Sequence, residues 1–341
     1  MSEAFLKLSA DERREALAVA ASASGRPAHL LEKDIWVVWA LDGLFSSPLG
    51  EHLVFKGGTS LSKAYGVIRR FSEDVDLTYD IRALAPDLVG ETGDALPATR
   101  GEERRWTKAV GQRLPQWVED HVLPTLQARL VVDGARARLR LEGEKVFVEY
   151  EPLATGSGYV APAVMLEFGA RSTGEPSVLH DVVCDAAGLV EGVVFPTARP
   201  MVMRAERTFW EKATAIHVFC AQGRLRGDRF ARHWHDLARL DDAGFAQAAI
   251  ADQALAQAVA DHKAMLFVEK DAGKAVIDYQ AAVHGAIHLA PDGEARAVLG
   301  ADYEAMVADG LLFDDAEPFD QLMAHCLELE GRINAAMHPA P

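Results

Sequence analysis

Two aspartates one residue apart, Asp74 and Asp76, stand in "EDVDLTYD", with Val75, Leu77 and Tyr79 alternating around them. Residues i and i+2 of a β-strand point to the same side. The spacing therefore predicts a strand over 75–79 with one apolar, packed face and two carboxylates side by side on the other. Such a face is costly to bury without a cation. Mg²⁺ is the natural one, a hard ion that carboxylates share with phosphates. The ordinary alternative is a polar strand face turned to water. Upstream, "VFKGGTSLSK" sets Gly57 and Gly58 between an apolar run and a helix-like one. Paired glycines let backbone turn sharply and come close to a ligand. A helix starting after Thr59 or Ser60, both good N-caps, presents N–H groups that suit a phosphate. Ser60 and Ser62 add hydroxyls, and Lys63 follows about a turn in. By itself, a glycine pair after a strand is commonly a plain tight turn. Glu167, a charged residue in the apolar run "VMLEF", is the candidate third acid of a two-metal site. An edge-strand glutamate facing water is its ordinary reading.

These residues need elements to hold them. Helical periodicity marks 10–23 and 27–47; in the second, Leu30, Leu31, Ile35, Val38, Trp39 and Leu41 form one face. A short strand at 52–56 precedes the glycines. Residues 83–103 are rich in Pro, Gly and acids and read as a loop. A helix is expected over 106–131, then strands at 136–141, 145–150 and 162–168, then a mixed stretch at 171–200. Beyond that the period stays helical, over 203–221, 229–240, 244–260, 272–284, 295–309 and 318–337. The expected organisation is an α+β part over 1–200 and an all-helical part over 201–341, with "FPTARPM" (195–201) as the hinge.

The bulk composition is that of an ordinary globular protein: 341 residues, 49% hydrophobic and 25% charged. No run approaches the ~18 apolar residues of a membrane span, and the charged N-terminus lacks the apolar core of a signal peptide. Three well-separated cysteines (Cys184, Cys220, Cys326) fit a reducing, cytoplasmic setting better than a disulfide framework. A net charge of −16 argues against a protein coated in nucleic acid. The charge is segregated, however. Residues 52–70 hold Lys56, Lys63, Arg69 and Arg70 and no acid, residues 201–240 hold eight Lys or Arg, and residues 301–331 hold nine acids and no Lys or Arg. The two basic segments can form a local patch for a polyanion.

The stretch "VFKGGTSLSKAYGVIRRFSEDVDLTYD" resembles the signature of the AbiEii/AbiGii-type nucleotidyltransferase toxins, members of the DNA polymerase β-like nucleotidyltransferase superfamily. "LLEKDIWVVWAL" (30–41) is similar to that family's E-K-D helix, "ERTFWEKATAIH" (206–217) to its R-x-x-x-E-K motif and "RHWHDLARL" (232–240) to its R-H-x-x-D-L helix. "DYEAM" (302–306) and "LELEGRINAAM" (327–337) resemble the C-terminal helices. The resemblance implies a polymerase β-like core, a mixed sheet with flanking helices, followed by a C-terminal helical domain. It also implies a type IV toxin–antitoxin toxin that transfers a nucleoside monophosphate from NTP, with Mg²⁺, to an acceptor such as the 3′ end of tRNA. The implied partners are NTP, an RNA acceptor and a cognate antitoxin, with no membrane. A protein-modifying transferase resembling an AMP-transferase and a non-catalytic binding member are the rival readings.

Residue by residue, the resemblance implies that Gly57, Gly58, Thr59 and Ser60 hold the triphosphate together with Lys63 and Lys212. Asp74 and Asp76 bind Mg²⁺, and Lys212 and Asp236 are functional residues of the later motifs, contributed to the cleft by the helical domain. Each later residue also has an ordinary reading. Lys212 can pack its stem beside the apolar stripe and carry its ammonium to the rim. Arg207 with Glu211 and Arg232 with Asp236 can be surface pairs at i,i+4. Glu32, Lys33 and Asp34 read as a structural salt-bridge set. Arg69, Arg70, Arg204, Arg207, Arg224, Arg226 and Arg229 are the candidate RNA patch. Ser72, just before the aspartates, is a position where a phosphate would repel incoming nucleotide.

Overall fold

A computed structural model of the chain describes residues 2–70, 74–91, 93–154, 161–223, 229–308, 310–312 and 316–337. The chain folds as two compact units. The first is built from the described residues of Met1–Ala64, Ser72–Ala95 and Arg104–Met203, the second from those of Tyr65–Phe71, Leu96–Glu103 and Arg204–Pro341.

The first unit opens with α1 (Ala10–Ser24). Ser9 and Glu12 form a reciprocal capping box at its start, and Gly25 ends it in the left-handed conformation at φ +72°. Helix α2 (Ala28–Phe45) is buried on nearly every side from Leu31 to Leu44, charged residues included. Its Trp36 stacks on Tyr150 with ring centroids 5.4 Å apart. Strand β1 (Leu53–Lys56) runs straight into the short helix α3 (Gly57–Lys63), and β2 is Asp74–Tyr79. The helix expected over 106–131 starts earlier, as α4 (Arg100–Trp117). It loosens into one wide turn at Val118–Val122 and resumes as α5 (Leu123–Asp133). Pro115 inside α4 and Pro124 at the start of α5 explain the interruption, because neither has an N–H to continue the ladder.

Strands β3 (Ala137–Glu142), β4 (Lys145–Tyr150), β5 (Ala163–Gly169), β6 (Ser177–Leu179) and β7 (Met201–Met203) complete a seven-stranded mixed sheet among the described residues. Its order is β3-β4-β5-β2-β1-β7-β6. Strands β5 and β2 pair parallel, as do β1 and β7; the other neighbours are antiparallel. The mixed α+β class expected from the alternation of elements is the class observed. Val75, Leu77, Val146, Val148, Val164 and Leu166 form its wholly buried apolar face. Strand alternation thus holds where the aspartates sit: Val75 and Leu77 go inward, Asp74 and Asp76 to the other side.

The second unit is helical. Helix α6 (Ala205–Gln222) buries Phe209, Trp210, Ala213 and Ile216, and the Trp210 indole donates to Ala249 O at 3.0 Å. Helix α7 is Arg232–Asp242. The helix expected over 244–260 is two, α8 (Phe245–Ala251) and α9 (Gln253–Leu266). Asp252 between them caps α9 by accepting from Leu255 N. The expected helix over 272–284 begins only at Tyr279, because Lys274 turns back at φ +69° and Lys270 bridges Val276. Helices α10 (Gly293–Ala308) and α11 (Phe319–Met337) finish the unit. No helix among the described residues is long and apolar enough to cross a membrane.

Candidate active site

Gly57 is the tightest point of the first unit. The glycines do not form a separate turn; Gly57 is the first residue of α3 and adopts φ +77°. A Cβ placed on it would lie 2.7 Å from Asp76 Cγ. No other residue fits, since a side chain would be strained in that conformation and would collide with the aspartate. The missing side chain thus lets the start of α3 rest directly against a carboxylate.

The three hydroxyls that follow are turned to backbone. Thr59 donates to Asp74 O, Ser60 to Gly57 O at 2.8 Å and Ser62 to Thr59 O at 3.0 Å. Thr59 and Ser60 are buried. They tie α3 to β2 and brace the first turn, so any contact with a ligand here falls to the backbone around Gly57 and Gly58.

Sheet register builds a row of charge across this face. Asp76 lies opposite Lys56 on one side and Glu167 on the other, and Glu167 lies opposite Lys145. Directly paired residues share a face, so Asp74, Asp76 and Glu167 are gathered on one surface with two lysines at its flanks. Lys145 Nζ sits 3.1 Å from Glu167 Oε2. The hydrogen bond to Glu167 raises the Lys145 ammonium above its usual value, and Glu167 and Asp74 add to this by their charge. Asp74, Asp76 and Glu167 bring three carboxylates to this face. The donor set is all hard oxygen, which fits a divalent cation such as Mg²⁺. Among the described residues no group of three or more His, Cys, Asp or Glu is arranged to hold a metal.

Lys63 points elsewhere. Its ammonium is 2.6 Å from Asp34 Oδ1 and 2.8 Å from Asp185 Oδ1, with only 9% of the side chain exposed. Arg26 also pairs with Asp185, and Asp34 accepts from Asp185 N at 2.6 Å. Burial works against the Lys63 charge, but the two aspartates outweigh it and raise its value. Two cations balance two carboxylates here. Glu32 and Lys33 are buried too. Glu32 accepts from Leu153 N and Ala154 N, and Lys33 donates to Ala161 O. The E-K-D run thus anchors α2 to the β4–β5 connection and to the loop at Asp185.

The helical unit holds a second ionic cluster. Asp236 on α7 is wholly buried. Arg70 clamps it with both ends of the guanidinium, Nε to Oδ1 at 2.7 Å and Nη2 to Oδ2 at 2.9 Å. Lys212 of α6 donates to the same Oδ2 at 2.8 Å. The expected surface pair of Asp236 with Arg232 does not form: Arg232 is exposed while Asp236 faces the other way. Nor does Lys212 carry its ammonium to the rim; its side chain is 10% exposed. Burial pushes the Asp236 carboxyl up, yet Arg70 and Lys212 prevail and hold it well below the usual carboxylate range. Burial lowers Lys212, Asp236 opposes this, and Arg70 reinforces it. One carboxylate is shared by two cations: the guanidinium takes both oxygens, and Lys212 joins it on Oδ2. Sequence spacing missed Arg70, whose only signal was its place in the basic run before the aspartates.

The proposed arginine patch is largely spent on local pairs. Arg204 bonds Glu206 at 2.9 Å, and Arg207 bonds Glu211 at 3.2 Å, the i,i+4 pair that spacing suggests. Arg69 is exposed and Arg229 half-buried. Arg224, Arg226 and Ser72 lie outside the described residues. His233 and His235 are both on α7; His233 packs against Phe230 and Phe219 rather than joining a metal site.

A family model for the AbiEii nucleotidyl transferase toxin of type IV toxin–antitoxin systems matches residues 39–325, a span holding every residue of both clusters except Arg26 and Asp34. The chain belongs to the AbiEii family. It is a nucleotidyltransferase, a toxin of the type IV class, and the family implies a nucleotide substrate and an antitoxin partner. Two solved structures are similar to it. JHP933 from Helicobacter pylori is 14% identical over 90% of this chain and 93% of that one, with a TM-score of 0.43. The nucleotidyltransferase toxin MenT4 from Mycobacterium tuberculosis H37Rv is 17% identical over 94% and 97%, with a TM-score of 0.38. No curated protein matches the chain.

Proposed function

We propose that this AbiEii-family chain transfers a nucleoside monophosphate from NTP to an acceptor hydroxyl, the 3′ end of an RNA such as tRNA, with Mg²⁺ held by Asp74 and Asp76. The observation that carries the reading is Gly57 packed bare against Asp76. It brings the backbone at the start of α3 and the paired carboxylates to one spot, as a triphosphate with its cation requires. Bound there, Mg²⁺ would neutralise charge on the transferring phosphate, as two-metal and one-metal phosphoryl enzymes do. Gly57, Gly58 and the backbone of Thr59 and Ser60 line the triphosphate, while the hydroxyls keep α3 in place. Glu167 completes the carboxylate set or accepts the proton of the attacking hydroxyl. Lys63, engaged by Asp34 and Asp185, positions α3 instead of touching phosphate. Lys212 supplies a point charge to the triphosphate, and Asp236 orients it. Positioning and charge neutralisation do most of the catalysis. The free thiols agree with work in the cytoplasm.

A second reading has one observation in its favour. Arg70, Arg204 and Arg207 are each bonded to a carboxylate, which weakens the RNA patch and favours a protein side chain as acceptor. One experiment separates the two. Purified protein and its Asp76→Ala variant are incubated with total RNA, Mg²⁺ and each α-labelled NTP in turn. Label on RNA, absent in the variant, is the expected result. Label on protein alone supports the second reading. Mg²⁺-dependent NTP binding that survives both Asp74→Ala and Asp76→Ala would sink the metal assignment.

A further inference from the structure

The first unit also carries a cavity of about 590 Å³, remote in sequence from the motifs and lined by the segment around the start of α1 and by the end of α5. A volume of this size is usual for a ligand site. Lys7, Arg13 and Arg136 converge on it. None of the three forms an ion pair with a described residue, and Arg13 Nε is buried with no hydrogen-bond partner among them. The one acid in the lining, Asp133, is already taken, by the Trp39 indole at 2.8 Å and by Arg129 at 2.6 Å. Leu6, Leu8, Val131 and Val132 give the lining its apolar part beside Ser9, and Val131 and Val132 are 82% and 76% exposed, the two most exposed large apolar residues described. Residues 6–13 of this wall precede the span that the family model matches.

In a chain of net charge −16, this concavity gathers three cations that form no ion pair with a described residue, although Glu32 and Glu151 lie near enough to favour the Arg13 charge. Arg70, Arg204 and Arg207, first suspected of binding RNA, are each bonded to a carboxylate. We infer that this cavity is a subsite for a single-stranded segment of the acceptor RNA, an inference that rests on the RNA reading of the acceptor. Lys7, Arg13 and Arg136 take backbone phosphates. The leucine and valine side chains give an unstacked base an apolar surface beside the Arg13 and Arg136 guanidiniums, the kind of plane on which unpaired bases stack. A polymer of regular negative charge and flat apolar faces matches both walls.

The test compares wild type with Lys7→Glu/Arg136→Glu, with Arg13→Gln, and with Arg138→Glu as a charge control, its side chain 77% exposed and outside the lining. Unfractionated tRNA is the probe. KM for tRNA, kcat and the salt dependence of tRNA binding are the readouts, with circular dichroism to verify folding. The double variant is expected to raise KM about tenfold or more with kcat within about twofold. Its log–log salt slope should fall by about 1.4, roughly 0.7 per lost phosphate contact on a single strand. Arg13→Gln should shift the slope by about half as much, and Arg138→Glu by less. Unchanged KM and slope in a protein that still labels tRNA would overturn this inference and leave the RNA reading standing. Wild type that labels protein and neither binds nor labels RNA would overturn both.

Discussion

The two ionic clusters of the first and second units differ in how their charges are matched. Lys63 and Arg26 meet Asp34 and Asp185, two cations to two carboxylates. Asp236 alone faces Arg70 and Lys212. The first is complete as it stands, a pin that fixes α3 against α2. In the second, the Arg70 guanidinium and the Lys212 ammonium share one carboxylate. The sheet face of the first unit gathers Asp74, Asp76 and Glu167 beside Lys56 and Lys145. The first cluster ties two elements together, whereas on the proposed function the carboxylate face takes the divalent cation and Lys212 meets a phosphate.

Substitutions can break this contrast. The largest effect is expected from Asp236→Ala. The Arg70 guanidinium and the Lys212 ammonium would lose the carboxylate they share, costing about 3–5 kcal/mol, read as a lower urea midpoint for the helical unit together with lost transfer. A loss under about 1 kcal/mol would mean that the cluster relaxes to solvent. Asp76→Asn comes next and should split the readouts. Transfer falls on the order of 10²–10³-fold, the scale of losing one preorganised charge contact, while stability stays within about 0.5 kcal/mol because carboxylate repulsion is relieved. Lys63→Met should do the reverse. It strips the balanced cluster of its shared cation and destabilises by roughly 2–4 kcal/mol. Adding Asp34→Leu should restore part of that stability, since an apolar pair replaces a broken ionic one. An Asp34→Leu double variant no more stable than Lys63→Met would argue that the cluster is not a structural pin.

The smallest effect is a pH limb. Burial lowers the Lys212 ammonium below the ordinary ~10.4 of lysine. On the proposed role of Lys212, raising the pH removes the charge offered to the triphosphate, so NTP affinity should decline on the alkaline side sooner than for an ordinary lysine. Lys212→Arg, which does not titrate there, should flatten the limb. An identical limb in that variant would assign it to another group.

Much of this was legible in the amino-acid order. The period-two alternation of Val75 and Leu77 with Asp74 and Asp76 set which way the carboxylates face, because strand geometry leaves no other choice once one face is packed. The glycines marked the close approach, and the motifs in order along the chain carried the family. What local rules predicted for pairing held at Arg207 and Glu211, where the i,i+4 contact forms although Arg207 is buried.

Tertiary structure alone decided the rest. Asp236 had an i,i+4 partner on its own helix, but burial of α7 turned it to Arg70, 166 residues earlier. A buried carboxylate needs a bidentate, fully desolvated partner, and an exposed neighbour cannot supply one. Lys63 looked like a phosphate ligand from its distance to the glycines, yet α2 and the loop at Asp185 claimed it, since an ammonium enclosed among apolar side chains binds the nearest carboxylates. Glu167 was a candidate third acid from sequence, but its place directly opposite Asp76 was set by the parallel pairing of β2 and β5. Sequence determines periodicity and local caps, because those depend on neighbours a few residues away. The matching of charges depends on which distant segments the core brings together, and no local spacing encodes that.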